Sequence, residues 1–143
     1  MAKEVYVEAT EGNDIWFAHR ITLPNQQYLE VADLAPSGDL IVIKLVRDTA
    51  HGAARRTKTV FSTDSDSTAT SYIFDTLQYT YWDGYDDIGY NFLYQLPATG
   101  TNGSETWTLE GGNTYYLEFE VATEDFGKIR WANKIEVRGL ISQ

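Results

Sequence analysis

"TYYLEFEVATEDFGKIRWANKIEV", residues 114–137, contains two segments in which apolar and polar residues alternate, 114–123 and 128–137. A period of two is that of a β-strand, whose successive side chains point to opposite faces of a sheet. Between the segments, "EDFG" has the Asp and Gly that are typical of a turn. The stretch therefore predicts two strands joined by a turn.

The same alternation extends over most of the chain, and turn signals such as "EGND", "APSGD" and "EGGN" separate the segments. A polar loop is predicted at 63–71, and one turn of helix at 25–36. About eight short strands without an amphipathic helix predict an all-β protein, a single antiparallel β-sandwich domain of immunoglobulin-like kind spanning 1–143. The six further strands are predicted at 3–9, 14–23, 39–48, 57–62, 77–82 and 88–96.

Composition excludes several classes of function. The chain of 143 residues has no cysteine, which excludes disulfides, thiolate zinc sites and thiol catalysis. Its net charge is −10, and the stretch between Lys58 and Lys128 holds twelve acidic residues and no Lys or Arg. Such a surface disfavours nucleic acid. No apolar run is long enough to span a bilayer, and no signal peptide is visible, so we expect a soluble protein without a membrane partner.

Catalytic motifs are missing from the sequence. The two histidines are His19, in a predicted strand, and His51, in a turn-like loop, and we interpret them as a structural and a surface residue. The chain has no nucleophile elbow, H-E-x-x-H motif, P-loop or dinucleotide fingerprint. We therefore expect a non-enzymatic protein without a cofactor.

The stretch "WDGYDDIG", 82–89, concentrates carboxylates at Asp83, Asp86 and Asp87. Turn chemistry is the favoured interpretation, because Asp side chains bond their own backbone and tolerate turn geometry. The cluster is also a weak candidate for calcium, which prefers several oxygen ligands. A glycosidase pair, with Asp75 as another member, would need two carboxylates facing each other across a cleft.

Two groups of side chains are candidates for an interface. Trp82 and Tyr85 lie in the predicted turn and are expected to be exposed, either against another protein or as a sugar platform. Arg55, Arg56 and Lys58 form a basic patch in "HGAARRTK", 51–58. This patch is either a solvated hairpin or a surface that meets the acidic middle of another copy, in a head-to-tail homo-oligomer.

Two local patterns each fit a structural role and also a functional one. "YNFLY", 90–94, sets alternate aromatic residues on one face, which is typical of a core strand and would also suit a sugar platform. "NGS", 102–104, fits a glycosylation acceptor and equally a plain turn.

The order of the segments resembles small immunoglobulin-like structural domains of tailed bacteriophages. The matching pieces are "EGNDIWFAHRITL" (11–23), "SGDLIVIKLV" (37–46), "DDIGYNFLYQL" (86–96), "LEGGNTYYLEFEVATEDFGKIRW" (109–131) and "IEVRGLIS" (135–142). Within them, Tyr115 or Tyr116, Glu118 and Val121 give a "Y-x-x-E-x-x-V" pattern. The chain is thus similar to the N-terminal domain of phage baseplate upper proteins and to capsid decoration (cement) proteins.

The resemblance implies a function without catalytic residues. It implies a virion structural protein, made in the host cytoplasm, that decorates a capsid by binding the major capsid protein, as a homo-oligomer such as a trimer. A tail or baseplate component is the close variant. The residues also leave open a carbohydrate-binding module, with or without calcium, and a small glycoside hydrolase.

Overall fold

The computed structural model describes residues 4–10, 13–47, 56–64, 66–80, 82 and 87–139. Ten strands lie within these ranges, together with a 3₁₀ turn at Val31–Asp33 and one turn of α-helix at Asp66–Ala69. No helix in the described ranges is long and apolar enough to cross a membrane. The strands are β1 (Glu4–Thr10), β2 (Ile15–His19), β3 (Ile41–Arg47), β4 (Arg56–Thr63), β5 (Ile73–Gln78), β6 (Tyr90–Leu96), β7 (Thr99–Asn102), β8 (Glu105–Thr108), β9 (Thr114–Thr123) and β10 (Gly127–Arg138).

The hairpin predicted at 114–137 forms the centre of the larger sheet. β9 and β10 pair antiparallel, with Phe119 opposite Trp131. The turn between them is closed by the Thr123 hydroxyl, which donates to the Gly127 carbonyl at 2.7 Å and accepts the Phe126 N–H at 3.1 Å. Gly127 has φ +71°, a conformation that costs glycine little. The turn geometry is therefore fixed by Thr123 and Gly127.

The larger sheet has the order β1-β10-β9-β3-β4, and the second sheet has the order β2-β6-β5. All pairs in these two sheets are antiparallel except β1, which runs parallel to β10. Among the described strands, the β1–β10 pair is the one exception to the predicted antiparallel pairing. The arrangement of β10, β9, β3 and β4 against β2, β6 and β5 is that of a variable-type immunoglobulin sandwich. The predicted fold class is confirmed.

Aromatic side chains fill the space between the two sheets. The rings of Phe119 and Trp131 are stacked, with centroids 5.1 Å apart, and Phe92 meets both edge to face. Phe17 of β2 meets Phe119 of β9 at 5.8 Å. These two strands correspond to the pair that a disulfide joins in antibody domains. Here aromatic contacts, each worth about 0.5–1.5 kcal/mol beyond their burial, connect them.

Tyr115 closes the start of β9 against the segment before it. Its side chain is 3% exposed, and its hydroxyl donates to the Thr108 carbonyl at 3.2 Å and accepts the Glu110 N–H at 3.0 Å. A tyrosine near the start of this strand that bonds upstream backbone is the tyrosine corner of immunoglobulin-like sandwiches. In the "Y-x-x-E-x-x-V" pattern, Tyr115 is thus the structural residue.

Two expectations about the strands are wrong. The strand predicted at 77–82 begins earlier, at Ile73, and ends at Gln78. The stretch "ATGTNGS" (98–104), interpreted as a turn, overlaps the hairpin of β7 and β8, which has Gly103 (φ +61°) in a two-residue turn. Glycine at the first position of such a turn gives the twist that a hairpin needs. The turn interpretation of "NGS" is confirmed, and the one-turn helix predicted at 25–36 is present as the 3₁₀ turn.

Candidate functional site

Of the two aromatic residues predicted to be exposed in the turn at 82–89, Trp82 and Tyr85, the structure describes Trp82. The side chain of Trp82 is only 8% exposed, and its ring lies 5.7 Å from the ring of Tyr90. The guanidinium of Arg20 is 5.8 Å from the centre of the Trp82 ring and donates to the Gly89 carbonyl at 3.2 Å. Trp82 therefore anchors the β5–β6 connection to the end of β2. The prediction that it is exposed is wrong, because Arg20 covers its face.

The other predicted site residues are only partly described. Tyr85, Asp83, Asp86, Arg55 and His51 lie outside the described residues, as does the side chain of Arg56. Asp87 is exposed, and no group of three or more His, Asp or Glu residues in the described ranges could hold a metal ion.

His19 has the structural position that was predicted for it. It is half-buried in β2, and its ring lies 5.4 Å from that of Phe119 and 5.6 Å from that of Trp131.

One end of the sandwich collects three connections. We call it the loop end, and it comprises residues 20–40 between β2 and β3, 79–89 between β5 and β6, and 124–126 between β9 and β10, together with Asp64 after β4. The connections are bonded to the sandwich and to each other: the Glu124 N–H donates to the Asp33 carbonyl at 3.1 Å, and the Val31 N–H donates to Asp75 Oδ1 at 2.9 Å. The backbone there is held in place by the strands, as in the binding loops of variable domains.

The loop end exposes aromatic and acidic side chains together. Four of the five large apolar side chains that are well exposed in the described residues lie there: Tyr28 (42%), Tyr79 (57%), Ile88 (40%) and Phe126 (38%). Six exposed carboxylates accompany them: Glu30, Asp39, Asp64, Asp87, Glu124 and Asp125. The one cation described in these connections is that of Arg20, which is bound over Trp82. Rigidly held aromatic groups with a charged surround are typical of protein-binding surfaces.

The opposite end of the sandwich has a different chemistry. A pocket of about 240 Å³ opens there between β3, β4 and the β7–β8 hairpin; its lining includes Arg47, Lys58, Trp107 and Tyr115. We call it the basic pocket. The Lys58 ammonium donates to the Thr106 carbonyl, and Arg47 donates to Asn113 Oδ1 at 3.4 Å. Neither cation forms an ion pair with any carboxylate whose position the structure describes.

The β7–β8 hairpin also covers the outer edge of β4. The Thr59 N–H donates to Glu105 Oε2 at 2.7 Å, and Asn102 Nδ2 donates to the Thr59 carbonyl at 3.0 Å. Side chains thus occupy backbone groups that an edge strand would otherwise offer to another strand. The sequence alone does not indicate this role of Glu105 and Asn102, because the Gly and Asn of this stretch are typical of a turn.

On the outer face of the larger sheet, charged residues pair with each other. Glu120 accepts a hydrogen bond from Arg130 at 2.7 Å and lies 3.4 Å from the Lys128 ammonium. Burial acts to raise the pKa of Glu120, but the hydrogen bond from Arg130 and the charge of Lys128 outweigh it, so the pKa lies below its ordinary value. These pairs are typical of a solvated sheet face.

Comparison with known proteins adds little to this geometry. No protein family matches the sequence, and a search of curated proteins finds no relative. Among solved structures, the chain is similar to murine CRIg, with a TM-score of 0.40 and 17% identity over 95% of this chain and 92% of that chain. The strand order of the two sheets, β1-β10-β9-β3-β4 and β2-β6-β5, is what identifies the fold.

Proposed function

We propose that the chain is a non-enzymatic structural protein of a tailed-phage virion, a capsid decoration protein that binds the major capsid protein through its loop end. The observation that supports the proposal most is the surface of that end, where Tyr28, Tyr79 and Ile88 are each at least 40% exposed. Folding alone does not require this exposure. Large, rigid aromatic side chains supply much of the binding free energy at protein interfaces.

The surface is suited to a protein more than to a sugar. The sugar platform of the sequence analysis needed the face of Trp82, which Arg20 and Tyr90 occupy. Exposed carboxylates at the same end of the sandwich as Tyr79 and Ile88 suit a partner with basic groups around an apolar patch, because complementary charge steers association and fixes its orientation. A tail or baseplate protein could present the same partner surface, and the experiment has to separate the two locations.

The test is binding to purified particles. Recombinant chain is mixed with capsids and, separately, with tails of the phage that encodes it, and co-sedimentation is measured. We expect co-sedimentation with capsids, at least about tenfold weaker for Tyr79→Ser. Trp16→Ser is the matched control, because Trp16 is 43% exposed on β2, outside the loop end.

The outcomes separate the alternatives. Binding to tails alone would move the proposal to a tail component. Binding to neither particle, or an equal loss with Trp16→Ser and Tyr79→Ser, would overturn the assignment of the loop end.

A further inference from the structure

We propose that copies of this chain associate head to tail, with the β9–β10 turn of one copy inserted into the basic pocket of the next. The turn exposes the Phe126 side chain next in sequence to two exposed carboxylates, Glu124 and Asp125. The pocket is lined by two cations, Arg47 and Lys58, and by two aromatic side chains, Trp107 and Tyr115. The contact uses the β9–β10 turn of the loop end and a pocket at the opposite end of the sandwich, leaves Tyr28, Tyr79 and Ile88 to the proposed capsid contact, and holds whichever particle contains the protein.

The turn is built as a projection. It consists of three residues beyond the ends of two long strands, and all three side chains are exposed, Phe126 by 38%. No hydrogen bond or ion pair joins the side chains of Glu124 or Asp125 to any group that the structure describes. These side chains are therefore available to a partner.

The pocket has the size and the chemistry to receive this projection. Its volume is about 240 Å³, and a cavity of about 150 Å³ is enough to hold benzene. Trp107 and Tyr115, 7% and 3% exposed, form its aromatic side and suit edge or face contacts with a phenyl ring.

The charges around the pocket fit the same partner. β3 and β4 pair Leu45 with Lys58 and Arg47 with Arg56, so Arg47 and Lys58 are diagonal neighbours on one face. Glu110 also lines the pocket and is its one described carboxylate. The lining therefore has an excess of positive charge, whereas the turn contributes two negative charges.

One copy cannot fill its own pocket. Tyr115 lies at the start of β9 and Glu124 follows its end, and nine residues of strand span roughly 30 Å. The contact therefore joins different surfaces of two copies, and such a contact forms a ring where the rotation closes and a filament where it does not. The contact is small, so we expect weak association in free solution that becomes firm when a particle holds copies close together.

Cysteine pairs give the direct test, because the chain has no cysteine of its own. Phe126→Cys and Thr106→Cys are made in separate copies, mixed, and oxidised mildly. We expect a disulfide-linked heterodimer from this mixture and at most a background yield from Trp16→Cys mixed with Thr106→Cys. Equal yields from the two mixtures would overturn the proposal.

Charge reversal gives a second, independent measurement by sedimentation velocity. Glu124→Lys with Asp125→Lys, or Arg47→Glu with Lys58→Glu, should each weaken self-association by about tenfold or more, and salt near 0.5 M should weaken the unaltered chain. Mixing the two reversed variants should restore association between them. Absence of rescue in variants whose circular dichroism matches the unaltered chain would contradict the proposed pairing.

The experiments distinguish failure of the head-to-tail contact from failure of the proposed function. Capsid binding that survives in Arg47→Glu/Lys58→Glu, whose residues lie outside the loop end, together with failure of both association tests, overturns only the head-to-tail contact. Head-to-tail association without capsid or tail binding overturns only the proposed function.

Discussion

Asn91 holds the first part of the β2–β3 connection onto the smaller sheet. Its side chain is 1% exposed; Oδ1 accepts the Ile21 N–H at 2.7 Å, and Nδ2 donates to the carbonyls of Ile21 at 3.0 Å and Leu29 at 2.9 Å. We expect Asn91→Ala to be among the most destabilising single substitutions in the chain, although it removes no apolar contact.

The magnitude follows from the groups left behind. The Ile21 carbonyl keeps one partner, because it also accepts the Leu29 N–H at 3.0 Å. The Ile21 N–H and the Leu29 carbonyl lose the partner that Asn91 provides, and each buried unsatisfied group costs about 1–3 kcal/mol. We therefore expect a loss of about 3 kcal/mol, a large share of the 5–15 kcal/mol typical of a domain (about a third of the middle of that range).

Urea unfolding followed by tryptophan fluorescence measures this loss. A change of about 3 kcal/mol lowers the midpoint by roughly 1.5 M at a typical slope and lowers Tm by about 10 °C. Asn25→Ala is the matched control, because Asn25 makes one exposed bond of 3.1 Å to the Gln27 N–H. We expect that variant to lose less than about 1 kcal/mol. A loss at Asn91 no larger than at Asn25 would refute the reasoning.

Asn91→Asp tests the donor part of the same network. An ionised carboxylate still accepts the Ile21 N–H but faces two carbonyls as an acceptor, in a buried site, so its folded-state pKa is raised. Stability should therefore be highest below the unfolded-state pKa of an Asp, near 3.9, and fall as pH rises toward the folded-state pKa. A midpoint for this variant that follows the unaltered chain between acid and neutral pH would contradict the assignment of Nδ2 as a double donor.

Three further substitutions probe separate parts of the fold by the same urea assay. Tyr115→Phe removes both hydrogen bonds of the Tyr115 hydroxyl and should lower the free energy of unfolding by about 1–3 kcal/mol. An unchanged free energy of unfolding would contradict a stabilising role of the tyrosine corner. Gly100→Ala places a Cβ too close to three carbons of the Trp107 ring, so the ring must shift; the fluorescence of the native state should change along with a loss of about 1–3 kcal/mol. Glu120→Gln should cost about 0.5 kcal/mol at neutral pH and nothing in strong acid, because the lowered pKa of Glu120 contributes stability above the unfolded-state pKa of a Glu that is lost as pH falls through the folded-state pKa. Equal losses at both pH values would exclude the ion pairs as the cause.

Period-two alternation was sufficient for the long strands. The predicted segment 114–123 coincides with β9, and 128–137 lies within β10. Long strands can be predicted from alternation because one face of each is buried, and burial strongly constrains the residues on that face. The parallel pairing of β1 with β10 could not be predicted, because alternation shows which side chains share a face and not whether the neighbouring strand runs parallel or antiparallel.

The short hairpin was missed for a local reason. β7 and β8 have four residues each, and "TGTN" has the Gly and Asn that normally indicate a turn. The signal was nevertheless present, since Gly-Ser, here Gly103 and Ser104, is a pattern of two-residue hairpin turns. Glycine is needed at position 100 of β7 because the ring of Trp107 occupies the space that a side chain would take.

The candidate site depended on tertiary contacts that no local pattern contains. Trp82 is covered by Arg20, and Asn91 is buried by the backbone near Ile21 and Leu29, all far away in sequence. Alternation had placed Asn91 opposite the core face of β6, and only the folding of the connection over that face buries it. The acidic stretch between Lys58 and Lys128 supplies four of the six exposed carboxylates described at the loop end, and the topology adds Glu30 and Asp39 from outside that stretch.

The β9–β10 turn shows most directly how folding and surface chemistry are separated in this protein. Thr123 and Gly127 fix the turn, so the three residues between them are free to vary without loss of the hairpin. Those positions hold two adjacent carboxylates, which repel each other, and Phe126, whose apolar side chain is exposed to water. A local arrangement that costs stability without a compensating contact is expected at functional positions. The composition of this turn is thus explained by a contact outside the single chain, and the basic pocket is the surface of the described residues that matches it in charge and size.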